Sequence, residues 1–150
     1  MAKTASEIQK ERIAEIETKA EKLLDNVNIA ALTSINENGY PRTCLLTKAR
    51  NEGFSDIYFI TSKRSKLNGK ATHFEQNPKA SVSCFSGGDS VTLIGNVEFV
   101  EERELQEAVW KESDRRFFSK GIDDPKFRLL KQPYYKNTYF VAKSKSETAL

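Results

Sequence analysis

The sequence predicts a mainly β, α+β domain in which about six antiparallel strands close into a small barrel with flanking helices. Three observations carry this. Apolar, β-branched runs of strand length recur along the chain, as in IAALTSI at 29–35 and SVTLIGNVEFV at 90–100. Tight-turn signals join neighbouring runs: Asn38-Gly39, Asn51-Glu52-Gly53 and Gly87-Gly88-Asp89. Short turns between consecutive strands require antiparallel pairing, and closing the set removes exposed edges. Helical periodicity is confined to the start, the middle and a short piece near the end.

Taken in order, residues 5–25 read as an amphipathic helix. Ile8, Ile13, Ile16, Ala20, Leu23 and Leu24 recur at helical spacing, and Ser6 with Gln9 fits a capping box. Ile29–Ile35 is the first strand. Asn36–Gly39 turns it, and Tyr40–Lys48 returns, with Pro41 near its start where a missing donor is tolerated. Arg42 is the odd residue here, a charge in an apolar strand. Ile57–Ile60 is the third strand, Ala80–Phe85 the fourth and Ser90–Val100 the fifth, with Gly95 marking a bulge or close approach. Glu101–Phe118 reads as a helix placing Leu105, Val109 and Trp110 on one face. Asp124-Pro125 opens a short helix through Leu129 and Leu130, and Asn137–Ala142 is the last strand. The whole chain, 1–150, reads as a single domain, with a loose polar tail at 143–150.

Between the third and fourth strands lies DIYFITSKRSKLNGKATHFEQNP. A strand empties into a hydroxyl-rich, basic turn, Thr61–Gly69, and then a helix-compatible run, Lys70–Gln76. Unpaired N–H groups at a helix start favour an anion. Thr61, Ser62 and Ser65 offer hydroxyls; Lys63, Arg64, Lys66 and Lys70 offer charge. The same residues also read as a solvated basic loop, and the turn alone does not choose.

Composition excludes several classes. A net charge of +3, from 24 basic and 21 acidic residues, is too balanced for a nucleic-acid binder. No apolar run reaches membrane-spanning length, and the first ten residues lack the core of a secretion signal, so a cytoplasmic protein is expected. Cys44 and Cys84 then read as two reduced, buried thiols. The chain has no CxxC and one histidine, His73, so no metal site is expected and catalytic residues stay unassigned. His73 reads as a surface or half-packed helix residue. A bound cofactor would carry any redox chemistry.

Six pieces in order, NENGYPRTCLLTK, DIYFITSKRSK, NPKASVSCF, DSVTLIGNVEFV, LQEAVW and FFSKGIDDPKFRLL, resemble the FMN-binding split-barrel family that includes pyridoxamine phosphate oxidase. The chain looks most similar to the short bacterial general stress proteins. The resemblance implies a six-stranded Greek-key split barrel and a homodimer with FMN between the subunits; FAD stays open. It implies flavin contacts from Arg42 with Thr43, Cys44, Leu45 and Thr47, from Ile60 and Thr61, and from Ser65 with a following lysine. Ser90 matches a family position beside the ring system, and Trp110 one flanking the cofactor cleft. The family's phosphate lysine falls at Leu67 by one count and at Lys70 by the other. Lys70 is preferred because Gly69 permits close approach, with Lys66 second.

The substrate-binding Tyr and Arg set and the C-terminal Trp–Arg segment of pyridoxamine phosphate oxidases have no match in ELQEAVWKE or KSKSETAL. The resemblance thus implies a flavin-dependent oxidoreductase acting with a small-molecule electron donor or acceptor, of open substrate. The alternatives are a flavin-binding stress or sensor protein without turnover, and a deazaflavin- or haem-binding barrel.

Overall fold

The computed structural model describes residues 2–52, 56–63, 69–133, 137–141 and 147–149. Its strands form one nine-stranded sheet, antiparallel at every pairing. β1 (Ile29–Ile35), β2 (Pro41–Glu52) and β3 (Asp56–Ser62) form a meander, and β4 (Lys79–Ser86) returns beside β1. That order, fourth strand beside first, is a Greek key. β5 (Asp89–Asn96) pairs with β4. The chain continues as β6 (Glu98–Val100), which pairs with β7 (Phe127–Pro133), and β7 lies along β3. One stretch, 89–100, therefore joins both ends of the sheet and closes the barrel. β8 (Asn137–Val141) and β9 (Glu147–Ala149) extend the sheet beyond β5.

Three helices flank the barrel: α1 (Ala5–Asn26), α2 (Lys70–Gln76) and α3 (Arg103–Val109). Two hydrophobic clusters hold the layers. The inner one fills the barrel with Leu32, Ile57, Phe59, Val82, Leu93 and Leu130, sealed by Leu23 and Leu24 of α1 and Phe74 of α2. The outer one packs Tyr58, Val100, Val109, Phe118, Phe127 and Leu129 on the other side of the β3–β7 ribbon. Trp110, Phe118 and Phe127 meet there at ring separations of 5.4–6.3 Å, edge-on or tilted. Such aromatic pairs add about 0.5–1.5 kcal/mol each beyond simple burial.

Several elements differ from the sequence reading. The piece predicted as a short helix, Asp124 through Leu130, is a turn at 124–126 followed by the start of β7 at Phe127. Both faces of this strand are buried, with Leu130 inward and Leu129 outward, so the run lacks the alternation that marks a strand. Asp124 instead clasps the preceding turn, accepting N–H bonds from Lys120 at 3.2 Å and Lys126 at 3.0 Å. Those bonds hold its carboxyl below the usual range. The predicted single strand 90–100 changes partners at Val97, whose N–H goes to the Pro78 carbonyl at 2.8 Å. The helix predicted over Glu101–Phe118 stops at Val109. Trp110 turns extended there, bringing its indole onto Phe118 and Phe127, and a 3-10 turn follows at Glu112–Arg116. The first helix is capped by Thr4 with Glu7, two residues earlier than Ser6 with Gln9. In the predicted loose tail, residues 147–149 pair with β8, whose edge offers free ladder groups; 142–146 lie outside the described residues.

Gln132 is the misfit of the barrel interior. It is fully buried on β7 opposite Ile57, and neither amide atom has a hydrogen-bond partner. An unpaired buried polar group costs about 1–3 kcal/mol. Gln132→Met should therefore raise the stability read from urea unfolding by about that amount. An unchanged midpoint would mean that buried water already satisfies the amide.

The outward face of β1, β2, β4 and β5 carries no charge through its centre. Ala31, Thr33 and Ile35 stand beside Leu45, Thr43 and Pro41 across the β1–β2 ladder. Ser81, Ser83 and Phe85 continue the face on β4, and Ile94, Thr92 and Ser90 on β5. Thr33 and Thr43 share a hydroxyl hydrogen bond of 2.7 Å, as do Ser83 and Thr92 at 2.8 Å. Leu45 and Phe85 are 68% and 74% exposed on it. In a chain that is 30% charged, this face stands apart.

Candidate functional site

A cleft of about 780 Å³ runs between β2, the end of β3, the start of α2 and the segment after α3. That volume suits a large cofactor rather than an ion or a single water. Its first wall is built by strand alternation. Arg42, Cys44 and Leu46 pair across to Ser34, Leu32 and Ala30, so they share the inner face of β2. The register of β2 with β3 shifts between Lys48 and Arg50, where a bulge re-aims the strand beside the cleft. Thr61 and Ser62, ending β3, bring hydroxyls to the same space, and Gly69 and Lys70 follow at the start of α2.

Lys70 is a buried cation of the site, 7% exposed. Its Nζ donates to Ser34 Oγ at 2.8 Å and to the Arg42 carbonyl. An ammonium has three donors, so among the described residues one N–H remains for a ligand oxygen. Burial lowers its pKa below the ordinary lysine value; nearby Cys44 opposes this and the Arg42 guanidinium adds to it. An anion arriving here would relieve both costs.

His73 overturns the surface reading: it is buried at 1% exposure and lines the cleft. Its place one helical turn after Lys70 carries it inward with that residue, a signal the sequence held. Nδ1 lies 2.7 Å from Ser34 Oγ. Lys70 can only donate, so Ser34 Oγ accepts from it, and the contact with His73 Nδ1 is a second hydrogen bond of the same hydroxyl. Burial depresses its pKa most, followed by the charges of Lys70 and Arg42, with Glu37 opposing. The folded chain thus keeps His73 neutral where the unfolded chain takes a proton, below about pH 6.5. This stability is present above that pH and is lost as pH falls toward the lowered folded pKa, by at most about 1.4 kcal/mol per pH unit. His73→Asn, which keeps an acceptor for Ser34, should flatten that part of the curve in urea melts between pH 7.5 and 5.5. Identical pH dependence in both proteins would mean that folding does not lower the pKa of His73.

Of the residues expected at the site, Arg42, Cys44, Leu45, Thr47, Ile60, Thr61 and Lys70 line this cleft. Thr43 points to the opposite face, bonded to Thr33. Ser90 lies on β5, three strands from β2 in the sheet order. Trp110 packs in the outer aromatic cluster, while its neighbours Val109 and Lys111, with Phe118, form the cleft wall. Ser65 and Lys66 lie outside the described residues. Of the thiols, Cys84 is buried and Cys44 half-buried. Burial pushes the Cys84 thiol up, against the pull of Lys48. Lys48, at the inner end of the cleft, is itself buried and donates to the Leu24 carbonyl, tying α1 to β2. Sequence reasoning missed the far wall, Lys111 to Phe118, because KESDRRFF was read as helix surface. The pairing of cations with two aromatics was the available signal. Among the described residues, no helix is long and apolar enough to cross a membrane.

An antiparallel Greek-key barrel with a cation-lined cleft against its second strand defines a split barrel. The chain belongs to the pyridoxamine 5'-phosphate oxidase family, whose profile matches residues 16–135. Comparison with curated proteins gives no match. Solved structures share the fold. One is a Clostridium acetobutylicum protein related to general stress protein 26 of B. subtilis: 16% identity, TM-score 0.74, covering 91% of this chain and 95% of that one. General stress protein 26 from Bacillus anthracis is 22% identical, with TM-score 0.71 and coverage of 90% and 98%. A haem-binding protein from Mycobacterium smegmatis is 17% identical, with TM-score 0.72, covering 90% of this chain and 57% of that one.

Proposed function

We propose that this chain binds FMN in the cleft and serves as a flavin-dependent oxidoreductase, working as a homodimer. The observation that carries the reading is the polarity of the cleft. One end gathers Arg42, Lys70, Thr61 and Ser62, a donor set for a phosphate. Along the wall, Leu46, Ile60, Val109 and Phe118 supply the apolar surface that a flat ring system needs. Arg42 and Lys70 would bind the phosphate, and the two hydroxyls would orient it. The apolar wall would exclude water from the ring. FMN supplies the hydride chemistry when bound, so no protein nucleophile is required.

Denaturing the purified protein and weighing the released small molecule tests the assignment. FMN at stoichiometric amount is expected; FAD, a deazaflavin or haem would replace it. The haem-binding neighbour gives the last alternative its one support. Against it, the chain has a single histidine to serve as the commonest haem ligand. Bleaching of bound flavin by a nicotinamide donor, followed by reoxidation with an added quinone or nitroaromatic, separates an enzyme from a binding protein without turnover.

The homodimer rests on the uncharged face of β1, β2, β4 and β5. A symmetric pair uses one patch twice, and apolar, hydroxyl-rich strands satisfy both copies without burying charge. Leu45 and Thr47 belong both to this face and to the cleft rim, so a second copy would stand beside the bound flavin.

A further inference from the structure

The cleft has a second set of cations, on the wall opposite Arg42 and Lys70. After α3 the chain enters the 3-10 turn at Glu112–Arg116, and Lys111, Arg116 and Phe117 all line the cleft. The turn is fixed by its own hydrogen bonds. Asp114 Oδ2 accepts the Lys111 N–H at 2.9 Å, and the Asp114 N–H returns to the Lys111 carbonyl at 2.8 Å. Neighbouring cations are neutralised in place: Arg115 by Glu112, and Arg103 by Glu107 and Asp123. Lys111 and Arg116 differ. Among the described residues, neither pairs with a carboxylate. Among the described residues, the single carboxylate lining the cleft is Asp114, which is spent on capping the turn.

Beside them stands an apolar surface with no packing role in either core cluster. Phe117 is 65% exposed, and the Arg116 guanidinium sits over its ring, 4.7 Å from the centroid. A guanidinium held by a ring face is fixed in direction, so less freedom is lost when it meets an anion. The combination is one exposed aromatic face, two cations without counter-charges, and a rigid turn at the mouth of the cleft. It fits a planar aromatic molecule carrying a carboxylate or sulfonate.

We infer that the co-substrate meeting the flavin is an aromatic anion, held by Lys111 and Arg116 through its acid group and by Phe117 through its ring. This rests on the flavin reading of the same cleft. It divides the cleft's cations into two sets, Arg42 and Lys70 for the cofactor phosphate, Lys111 and Arg116 for the incoming molecule.

The test uses the purified protein as isolated, with flavin content measured first by absorbance. Binding of 4-nitrobenzoate is compared with that of 4-nitrobenzamide, which has the same shape and no charge, by calorimetry at low salt. The anion is expected to bind about two- to thirtyfold tighter, the range for two exposed cations at about 0.2–1 kcal/mol each. The gap should close at high salt. Lys111→Ala with Arg116→Ala should erase it, leaving amide binding and flavin content unchanged. Lys111→Glu with Arg116→Glu should invert it. Equal binding of the two probes by the unmodified protein overturns the inference. So does loss of flavin from the double variant, which would assign these cations to the cofactor, as FAD's second phosphate requires. A shift of the double variant to single chains overturns it too, by assigning them to the contact between copies. A protein isolated without flavin fails the flavin reading alone, and the probe comparison still decides the anion site.

Discussion

Lys70→Met should release flavin while leaving the empty protein as stable or more stable. The two effects have one cause. In the empty fold, Lys70 is a buried ammonium whose pKa is lowered chiefly by desolvation. Methionine has nearly the same length and no charge to desolvate, and replacing a buried charge by an apolar residue of similar volume is often neutral or stabilising. Ser34 Oγ and the Arg42 carbonyl each lose one donor, and Ser34 keeps its His73 partner after the change. With phosphate present the balance reverses. A charge-assisted hydrogen bond contributes about 1.5–3 kcal/mol, so flavin retention should fall about ten- to hundredfold. Lys63→Ala is the control: Lys63 is half-exposed and already paired with Glu75 at 2.6 Å, so retention should not change. Equilibrium dialysis measures the first effect and thermal unfolding of the flavin-free protein the second. A variant that loses both flavin and stability would make Lys70 a structural residue. One that keeps flavin would move the phosphate to the basic turn, where Lys66 is the next candidate.

What the sequence could show follows from how local each signal is. The meander of β1 to β3 was legible because Asn38-Gly39 and alternating burial act within a few residues. Lys70 and Arg42 were legible as charges in places where a strand or a helix start should carry none. β7 was not, because both its faces are buried, by the inner cluster on one side and by Val109, Trp110 and Phe118 on the other. Burial on both faces is a tertiary fact, and FRLL alone suits a helix equally well. His73 was misread for the related reason that its partners are distant in sequence. Ser34 lies on β1, and only the packing of α2 against that strand makes the histidine a buried hydrogen-bonded group. The far wall of the cleft needed α3 to stop early at Trp110, a choice set by the aromatic cluster rather than by helix propensity.

Thr33→Arg should convert the protein from two chains to one. Thr33 lies mid-face on the uncharged sheet surface, bonded to Thr43 and flanked across the β4 ladder by Ser81. It lines neither the cleft nor the barrel interior, so the substitution leaves the site's own residues in place. On a symmetric interface the arginine appears twice, with no carboxylate on the surrounding face to receive it. Two desolvated like charges cost several kcal/mol, enough to dissociate a pair held at micromolar concentration. Sedimentation should then read the 17.0 kDa chain mass, against twice that for the unmodified protein. Glu15→Arg, a larger change of charge on the exposed part of α1, should leave the mass unchanged. An unmodified protein already sedimenting at 17.0 kDa would remove the dimer outright. Flavin content of the Thr33→Arg chain then decides how the cleft is shared. Leu45 and Thr47 stand on both the face and the cleft rim, so parting the copies should expose the ring and weaken retention. Full retention by single chains would mean that each cleft is complete without its neighbour.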